Sequence, residues 1–210
     1  MVFMCGKSQS ATIEATNNEE KRELHLPPAE RGGGRPLMEL LNERKSTREF
    51  SERALSPHIL SGVLWAANGI NREESGKRTA PSARDMREID IYVITPEGAY
   101  LYLPEEHQTK LIKTGDYRKE AAGRSAFAAN APVVLVFVAN AKKMEKMDAA
   151  NRDLYAHLDC GYVSQNVYLY CASENLATVA LGGVDKVAMS KILGLKDDKV
   201  VLSQPVGYMR

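Results

Sequence analysis

The sequence has few cysteines, few aromatic residues and no excess of charge of one sign. Only three of its 210 residues are cysteine and only one is tryptophan. Three cysteines do not make a disulfide framework, so a small disulfide-stabilised scaffold is excluded. With 28 Lys and Arg against 27 Asp and Glu, the formal net charge is +1. A general nucleic-acid binder and a polybasic membrane-surface protein both need a basic excess, so both classes are excluded.

Long apolar runs and several common catalytic signatures are also missing. No run of about eighteen apolar residues occurs, so no segment is predicted to span a bilayer. The four histidines are scattered, and none has a Cys, Asp or Glu at metal-ligand spacing, so no metal site is predicted. The P-loop, the glycine-rich dinucleotide fingerprint and the nucleophile elbow are absent from the sequence. A folded domain with a local site remains.

The first 34 residues differ in composition from the rest. They are rich in Ser, Asn, Glu and Lys, end in Gly32–Gly34 and contain one aromatic residue. We therefore expect a flexible leader or linker over 1–34 and one domain over 35–210. A full secretion signal is lacking, which favours a cytoplasmic protein. The alternative is an exported or lipid-anchored protein, if residues 1–11 with Cys5 are the end of a truncated signal.

Apolar spacing predicts a mixed α+β domain in which helices outnumber strands. Helices are predicted over 37–41, 57–68 after the N-cap Ser56, 105–114, 117–129, 143–151, 154–175 and 186–193. Strands are predicted over 89–95, 99–103, 132–139, 177–181 and 199–203. Residues 70–88 are predicted to be a long polar loop. Apolar residues surround the long helix over 154–175, which predicts that it is buried on all sides.

Three cations and two hydroxyls lie together at the end of the first helix, in Arg44, Lys45, Ser46, Thr47 and Arg48. The planar donor fork of arginine matches phosphate, so this first cluster is a candidate phosphate site. The alternative to a phosphate site is an ordinary charged helix end that faces solvent and binds no ligand.

Three further segments carry groups that suit a ligand. The loop Arg78–Asp85 contains Pro81, which fixes the backbone on either side of it. Gly182 and Gly183 follow a short strand and permit close backbone approach to a flat ligand. The chain ends in Arg210, which can return a cation to the first cluster. Each segment also has a purely structural interpretation. The loop can be an ordinary polar turn, the glycine pair a tight turn, and the C-terminus a frayed tail.

Together and in this order, the four segments resemble the nitroreductase family of FMN-dependent oxidoreductases. The resemblance covers about residues 36–210. It rests on R-x-S-x-R-x-F (Arg44, Ser46, Arg48, Phe50), P-S-x-x-[ND] (Pro81, Ser82, Asp85), Gly182-Gly183 and V-G-Y-x-[KR] (Val206, Gly207, Tyr208, Arg210).

The resemblance implies a three-layer sandwich with a central, mainly antiparallel sheet, in an intertwined homodimer with FMN at the subunit interface. The residues implied to hold the phosphate and ribityl chain are Arg44, Lys45, Ser46 and Arg48, with Arg210 completing the phosphate site. Pro81, Ser82 and Ala83 of the partner subunit are implied to line the isoalloxazine edge, while Gly182 and Gly183 bring N–H groups near N5 and O4. The family usually has Asn in place of Asp85 and Gln in place of Arg87. A carboxylate there would repel the flavin carbonyls rather than donate to them.

The implied activity is a ping-pong reaction in which NADH or NADPH reduces FMN and an electron-poor nitroaromatic, quinone or enone is then reduced. The cofactor supplies the chemistry, so no catalytic side chain is predicted. The alternatives are a non-catalytic FMN-binding or sensing protein, and a specialised relative such as a dehalogenase or a dehydrogenase acting on modified peptides.

Overall fold

The computed structural model describes residues 23–210, and its centre is a six-stranded antiparallel sheet. In chain order the strands are β1 (Ile70–Arg72), β2 (Lys77–Arg78), β3 (Ile89–Ile94), β4 (Gly98–Leu103), β5 (Gln108–Thr114), β6 (Val133–Ala139), β7 (Leu176–Thr178) and β8 (Lys199–Tyr208). The α-helices are α1 (Leu37–Glu43), α2 (Pro57–Asn68), α3 (Arg118–Ala122), α4 (Ala149–Ser173) and α5 (Lys186–Leu193). Strands β1 and β2 pair with each other, and the other six form one sheet in the order β5-β4-β3-β6-β8-β7.

Helices cover both faces of the central sheet. Ile91 and Phe137 point to one face, where they join a core with residues of α2 and α4. Val134 and Val136 point to the other face and pack with Met189 of α5. Every residue of β6 is buried, as its continuous apolar sequence predicts. The expected α+β, three-layer sandwich with an antiparallel sheet is therefore confirmed.

Side-chain caps fix where three helices begin. The Ser56 hydroxyl accepts a hydrogen bond from the Ile59 N–H at 3.3 Å, which confirms the predicted start of α2. The carboxylates of Asp148 and Asp185 serve α4 and α5 in the same way. Each cap satisfies an N–H group that has no partner within the helix.

Three of the predicted helices are wrong in whole or in part, and two of them precede β6. Residues 105–114 contain strand β5, which pairs antiparallel with β4 and buries Thr109 while Gln108 and Lys110 face solvent. The helix predicted over 117–129 is interrupted at Gly123, whose φ of +55° lies in the left-handed region. The result is α3 followed by a short 3-10 turn over Ala126–Asn130.

Several other boundaries also differ from the predictions. No separate helix covers 143–151, since α4 itself begins at Ala149. The predicted loop over 70–88 contains the β1–β2 ribbon and two short 3-10 turns. Strand β7 is shorter than predicted, and β8 continues to Tyr208.

The expectation that the long helix is buried on all sides is wrong for one face. Leu154, Leu158 and Tyr162 of α4 are 52%, 46% and 49% exposed. They are spaced four residues apart and therefore form one apolar stripe. Cys160 and Cys171 lie on the buried side of the same helix as free thiols.

Part of the predicted leader lies against the domain. The Leu24 N–H donates to Thr109 Oγ1 at 2.7 Å, and the Ser61 hydroxyl donates to the Pro27 carbonyl at 2.6 Å. The boundary at residue 34 remains a prediction, and the reading of residues 1–11 as the end of a signal lies outside the described residues. Among residues 23–210, no helix is both long and apolar enough to cross a membrane.

Candidate functional site

The first cluster lies in an extended segment between α1 and the edge strand β7. Helix α1 ends where the Arg44 N–H donates to the Leu40 carbonyl at 2.8 Å. The following chain is fixed to β7 because the Thr47 N–H donates to the Thr178 carbonyl at 2.9 Å. Backbone bonds at both ends therefore determine where the side chains between them lie.

Tyr168 of α4 connects this cluster to the segment that leads into the glycine pair. Its hydroxyl accepts from the Ala180 N–H at 2.8 Å and lies 2.9 Å from Ser46 Oγ, to which it can donate its own proton. The Arg44 guanidinium lies over the same ring, 5.1 Å from its centroid. Sequence reasoning missed Tyr168, because nothing in the local pattern of α4 shows which side chain reaches these two loops.

The cations of the first cluster have no acidic partner among the described residues. Arg44 is half-buried, while Lys45 and Arg48 are exposed. Glu43, the carboxylate that directly precedes the cluster, is held instead by Arg35 at 2.6 Å. A pocket of about 330 Å³ opens beside the cluster and is lined in part by Glu43, Lys45, Thr47 and Tyr168. Because Arg35 already neutralises Glu43, the cluster retains a positive charge that suits an anionic group.

The C-terminus reaches the same place. Strand β8 brings Met209 into an isolated antiparallel bridge with Phe50, two residues beyond the first cluster. The Ser51 N–H donates to the Tyr208 carbonyl at 2.9 Å, and the Arg53 guanidinium lies 4.3 Å from the Tyr208 ring centroid. Arg210 follows directly and is exposed. The structure thus brings the segment that follows the first cluster beside the C-terminal motif, while the role of Arg210 remains a prediction.

The glycine pair forms part of a second groove. Gly182 and Gly183 line a space of about 640 Å³ together with Lys119, Arg124 and Lys186. The Gly183 carbonyl accepts from the Arg124 N–H at 3.2 Å.

The Gly183 carbonyl lies so close to residue 123 that this position requires glycine. A Cβ at position 123 would lie 2.0 Å from the Gly183 oxygen, so only glycine fits there. A Cβ at Gly182 would meet no atom of the described part of the chain within 4 Å, so there is open space for a ligand beside the Gly182 backbone.

The loop over 81–87 is fixed by two hydrogen bonds and contains unusual backbone angles. The Ala83 N–H donates to Asp159 Oδ2 at 2.7 Å, and the Arg87 N–H donates to Ser82 Oγ at 2.9 Å. Arg84, Asp85 and Arg87 have φ between +53° and +56°. Left-handed backbone at three non-glycine residues costs free energy and must be maintained by its surroundings.

The two residues that depart from the family pattern in this loop pair with each other. The Asp85 carboxylate accepts from the Arg87 guanidinium in a bidentate pair, at 2.9 and 2.7 Å. This hydrogen bonding holds the pKa of Asp85 below its usual value. Arg87 also donates to the backbone carbonyls of Ser75 and Gly76, so it ties the loop to the β1–β2 ribbon. Asp85 is therefore charged, and Arg87 compensates its charge locally.

The 81–87 loop and the first cluster do not meet within one chain. They attach to α4 at Asp159 and at Tyr168 respectively. Nine residues separate these two points, which corresponds to roughly 13 Å along the helix axis. One chain therefore supplies two separate parts of a candidate site.

Comparisons with known proteins agree with one another. The model of the nitroreductase family matches residues 41–208. A protein of Methanocaldococcus jannaschii that is named as a nitroreductase is 34% identical over 194 residues, covering 88% of this chain and 96% of the relative.

Solved structures show the same likeness. A protein of Ralstonia eutropha JMP134, described as a nitroreductase, is 37% identical, with a TM-score of 0.83 and coverage of 90% of both chains. An NADPH:FMN oxidoreductase of Vibrio harveyi, solved with NAD+, has a TM-score of 0.61 at 19% identity and covers 82% of this chain and 68% of its own. The latter likeness concerns the fold alone.

Proposed function

The chain belongs to the nitroreductase family, a family of oxidoreductases, and from that premise we propose that it uses FMN to carry electrons from NADH or NADPH to an electron-poor small molecule. The observation that carries the proposal is the first cluster. Arg44, Lys45 and Arg48 form no ion pair among the described residues, and Lys45 lines a pocket whose lining carboxylate, Glu43, is held by Arg35. A compact set of three cations suits one phosphate monoester rather than a polymer.

The residues proposed to hold the FMN phosphate and ribityl chain are Arg44, Lys45, Ser46 and Arg48, with Arg210 closing the phosphate site. The two hydrogen bonds of the Tyr168 hydroxyl support this assignment. They join Ser46 Oγ and the Ala180 N–H to one side chain, and so fix the distance between these two segments. The bridge between Phe50 and Met209 likewise keeps the terminal arginine beside the cluster.

The backbone of Gly182 and Gly183 is proposed to approach the flavin ring near N5 and O4. The open space beside Gly182 supports this flavin contact, because no other atom of residues 23–210 blocks the approach. N–H groups placed there favour negative charge on the ring, by the same electrostatic principle as an oxyanion hole. When bound, FMN supplies the electron transfer itself, and the chain contributes position and electrostatics.

A second copy of the chain is proposed to complete each site. The apolar stripe of Leu154, Leu158 and Tyr162 is exposed in a single chain, and so are Leu37 and Met38 of α1. Exposed apolar faces of this kind are typical of subunit interfaces. The separation between the 81–87 loop and the first cluster agrees with this. In a homodimer, Pro81, Ser82 and Ala83 of one subunit are proposed to line the flavin edge of the other.

The substrates proposed are NADH or NADPH as donor and a nitroaromatic, quinone or enone as acceptor, bound in turn at one site. The V. harveyi relative is by name an NADPH:FMN oxidoreductase, which supports this donor class for a protein of the same fold.

The absorption spectrum tests the proposal. We expect purified protein supplied with FMN to be yellow, to lose its colour with NADH or NADPH under anaerobic conditions, and to regain it when an acceptor is added. Protein that takes up no FMN would contradict the proposal. Yellow protein that neither nucleotide reduces would favour the binding or sensing alternative.

A further inference from the structure

Glu88, at the end of the 81–87 loop, is the least expected buried residue of the domain. Its side chain is completely buried, and neither carboxyl oxygen has a hydrogen-bond partner among the described residues. A buried carboxylate without partners is strongly unfavourable, so such a group retains its proton instead.

Besides burial, a second carboxyl, that of the acidic neighbour Asp159 on α4, raises the pKa of Glu88. Asp159 is 3% exposed, and its Oδ2 accepts from the Ala83 N–H at 2.7 Å. Cys160 on the same helix is a buried free thiol. Lys143, on the turn after β6, is the cation of this region, but its ammonium is held by Asp90 at 2.7 Å and by the Arg87 carbonyl at 3.1 Å. Among residues 23–210, no cation forms an ion pair with either carboxyl.

Two carboxyls in one buried volume repel each other when both are charged, which favours a proton on one of them. Burial, followed by the proximity of Asp159, raises the pKa of Glu88 to about 7. The proton on Glu88 gives it a donor, and Asp159 has an acceptor oxygen free beside the one that holds Ala83.

We propose that Glu88 is a positioning residue: in its protonated form it donates a hydrogen bond to Asp159, and Asp159 in turn holds the Ala83 N–H and the 81–87 loop. Loss of that proton to water places two negative charges together, which separates the carboxyls and loosens the Ala83 contact. The functional consequence rests on the proposed function, in which this loop lines the flavin edge. Cofactor binding then becomes sensitive to pH near neutrality.

The loop is suited to respond in this way. Its residues Arg84, Asp85 and Arg87 have left-handed backbone, and the Ala83–Asp159 bond joins the start of the loop to helix α4. Weakening that bond allows strained backbone to relax.

Hydrogen exchange of the peptide spanning 80–88 tests the proposal without any cofactor. The wild type is compared with Glu88→Gln, whose amide can still donate to Asp159 but does not titrate. We expect the ratio of protection in the wild type to protection in the variant to be roughly tenfold lower at pH 8 than at pH 6. The exposed Glu74→Gln serves as the control and is expected to behave as the wild type does. An unchanged ratio between wild type and Glu88→Gln at the two pH values would overturn the proposal.

Asp159→Asn provides an independent variant. Its carbonyl can accept from Ala83 while its amide donates to ionised Glu88, so we expect protection that no longer falls between pH 6 and 8. Protection that falls as in the wild type would overturn the pairing.

The FMN dissociation constant, measured over the same pH range, separates this proposal from the proposed function. We expect weaker binding at pH 8 in the wild type and none of this change in Glu88→Gln. If exchange depends on pH as expected but FMN binds at no pH, the carboxyl pair is supported and the proposed function is overturned.

Discussion

At the scale of single residues, Arg44 is the cation of the first cluster that is most firmly held. It lies over the Tyr168 ring and is half-buried, whereas Lys45 and Arg48 extend into solvent. A preorganised guanidinium loses less entropy when it binds an anion. Arg44→Ala is therefore expected to weaken FMN binding by roughly 1.5–3 kcal/mol, the scale of a hydrogen bond to a charged group.

Arg53→Ala is the matched control for that titration, because Arg53 also lies over a tyrosine ring but stands outside the first cluster. It is expected to leave the FMN dissociation constant unchanged. Equal losses in the two variants would mean that the effect comes from general charge or stability, and would remove Arg44 from the site.

A substitution at Asp85 tests whether the 81–87 loop lies at the flavin ring, because a change of charge there shifts the reduction potential of the flavin. Asp85→Asn removes a negative charge that Arg87 now compensates. If the loop lines the ring, the reduced, negatively charged flavin is stabilised and its potential rises. An exposed ion pair is worth up to about 1 kcal/mol, which for two electrons corresponds to a rise of about 20 mV. An unaltered potential would mean that residue 85 does not lie at the ring.

The raised pKa of Glu88 also leads to a prediction of how the free energy of unfolding depends on pH. Its pKa is raised from 4.5 to about 7 in the folded chain, so the folded state binds the proton more tightly than the unfolded state does. Stability therefore falls as pH rises from about 4.5 to 7 and is constant above that range. Denaturant titrations should show Glu88→Gln gaining up to about 3 kcal/mol over the wild type across this interval. A difference that does not vary with pH would contradict the raised pKa.

At the scale of elements, local signals predicted the helix starts and the buried strand. Ser56 before Pro57 marked α2, and the apolar sequence of β6 marked a strand covered on both faces. Strand β5 was missed because its identity depends on pairing with β4, which lies outside any local window. The outward face of α4 was missed for a similar reason. An apolar stripe shows that a face is to be covered but not whether the same chain covers it.

Tyr168 is the residue through which α4 positions the candidate site. Tyr168→Phe keeps the ring beneath Arg44 but leaves the Ala180 N–H without its acceptor and removes the partner of Ser46. Because the Ala180 N–H is only partly buried, we expect the lost hydrogen bond to lower stability by about 1 kcal/mol and to weaken FMN binding. Tyr155→Phe, on the same helix, is the control and is expected to change neither. Wild-type values for Tyr168→Phe in thermal unfolding and FMN titration would show that the two bonds are not needed.

At the scale of the whole molecule, a nearly neutral chain concentrates charge where one anion can be bound. The sequence motifs predicted that Arg210 returns a cation to Arg44–Arg48, and the bridge between Phe50 and Met209 brings the two backbone segments close to each other. Sequence reasoning did not find Tyr168, Glu88 or Asp159. Their importance follows from tertiary contacts between α4 and distant loops, which leave no periodic or compositional signal.

The central claim is that each flavin site combines the first cluster of one chain with the 81–87 loop of a second. Mixed dimers test it directly. Arg44→Ala weakens the cluster, and Ala83→Trp places a bulky ring where the flavin edge is proposed to lie. Each variant alone is expected to retain little FMN. Dimers that contain one chain of each, purified through two different tags, have one intact site and one doubly altered site.

The measurement is the FMN content of these mixed dimers. We expect about one tightly bound FMN for every two chains, since a two-fold dimer restores one of its two sites. NADH or NADPH should reduce that flavin at the wild-type rate. Mixed dimers that bind no more FMN than the two parent variants would contradict the account, because both parts of the site would then have to come from the same chain.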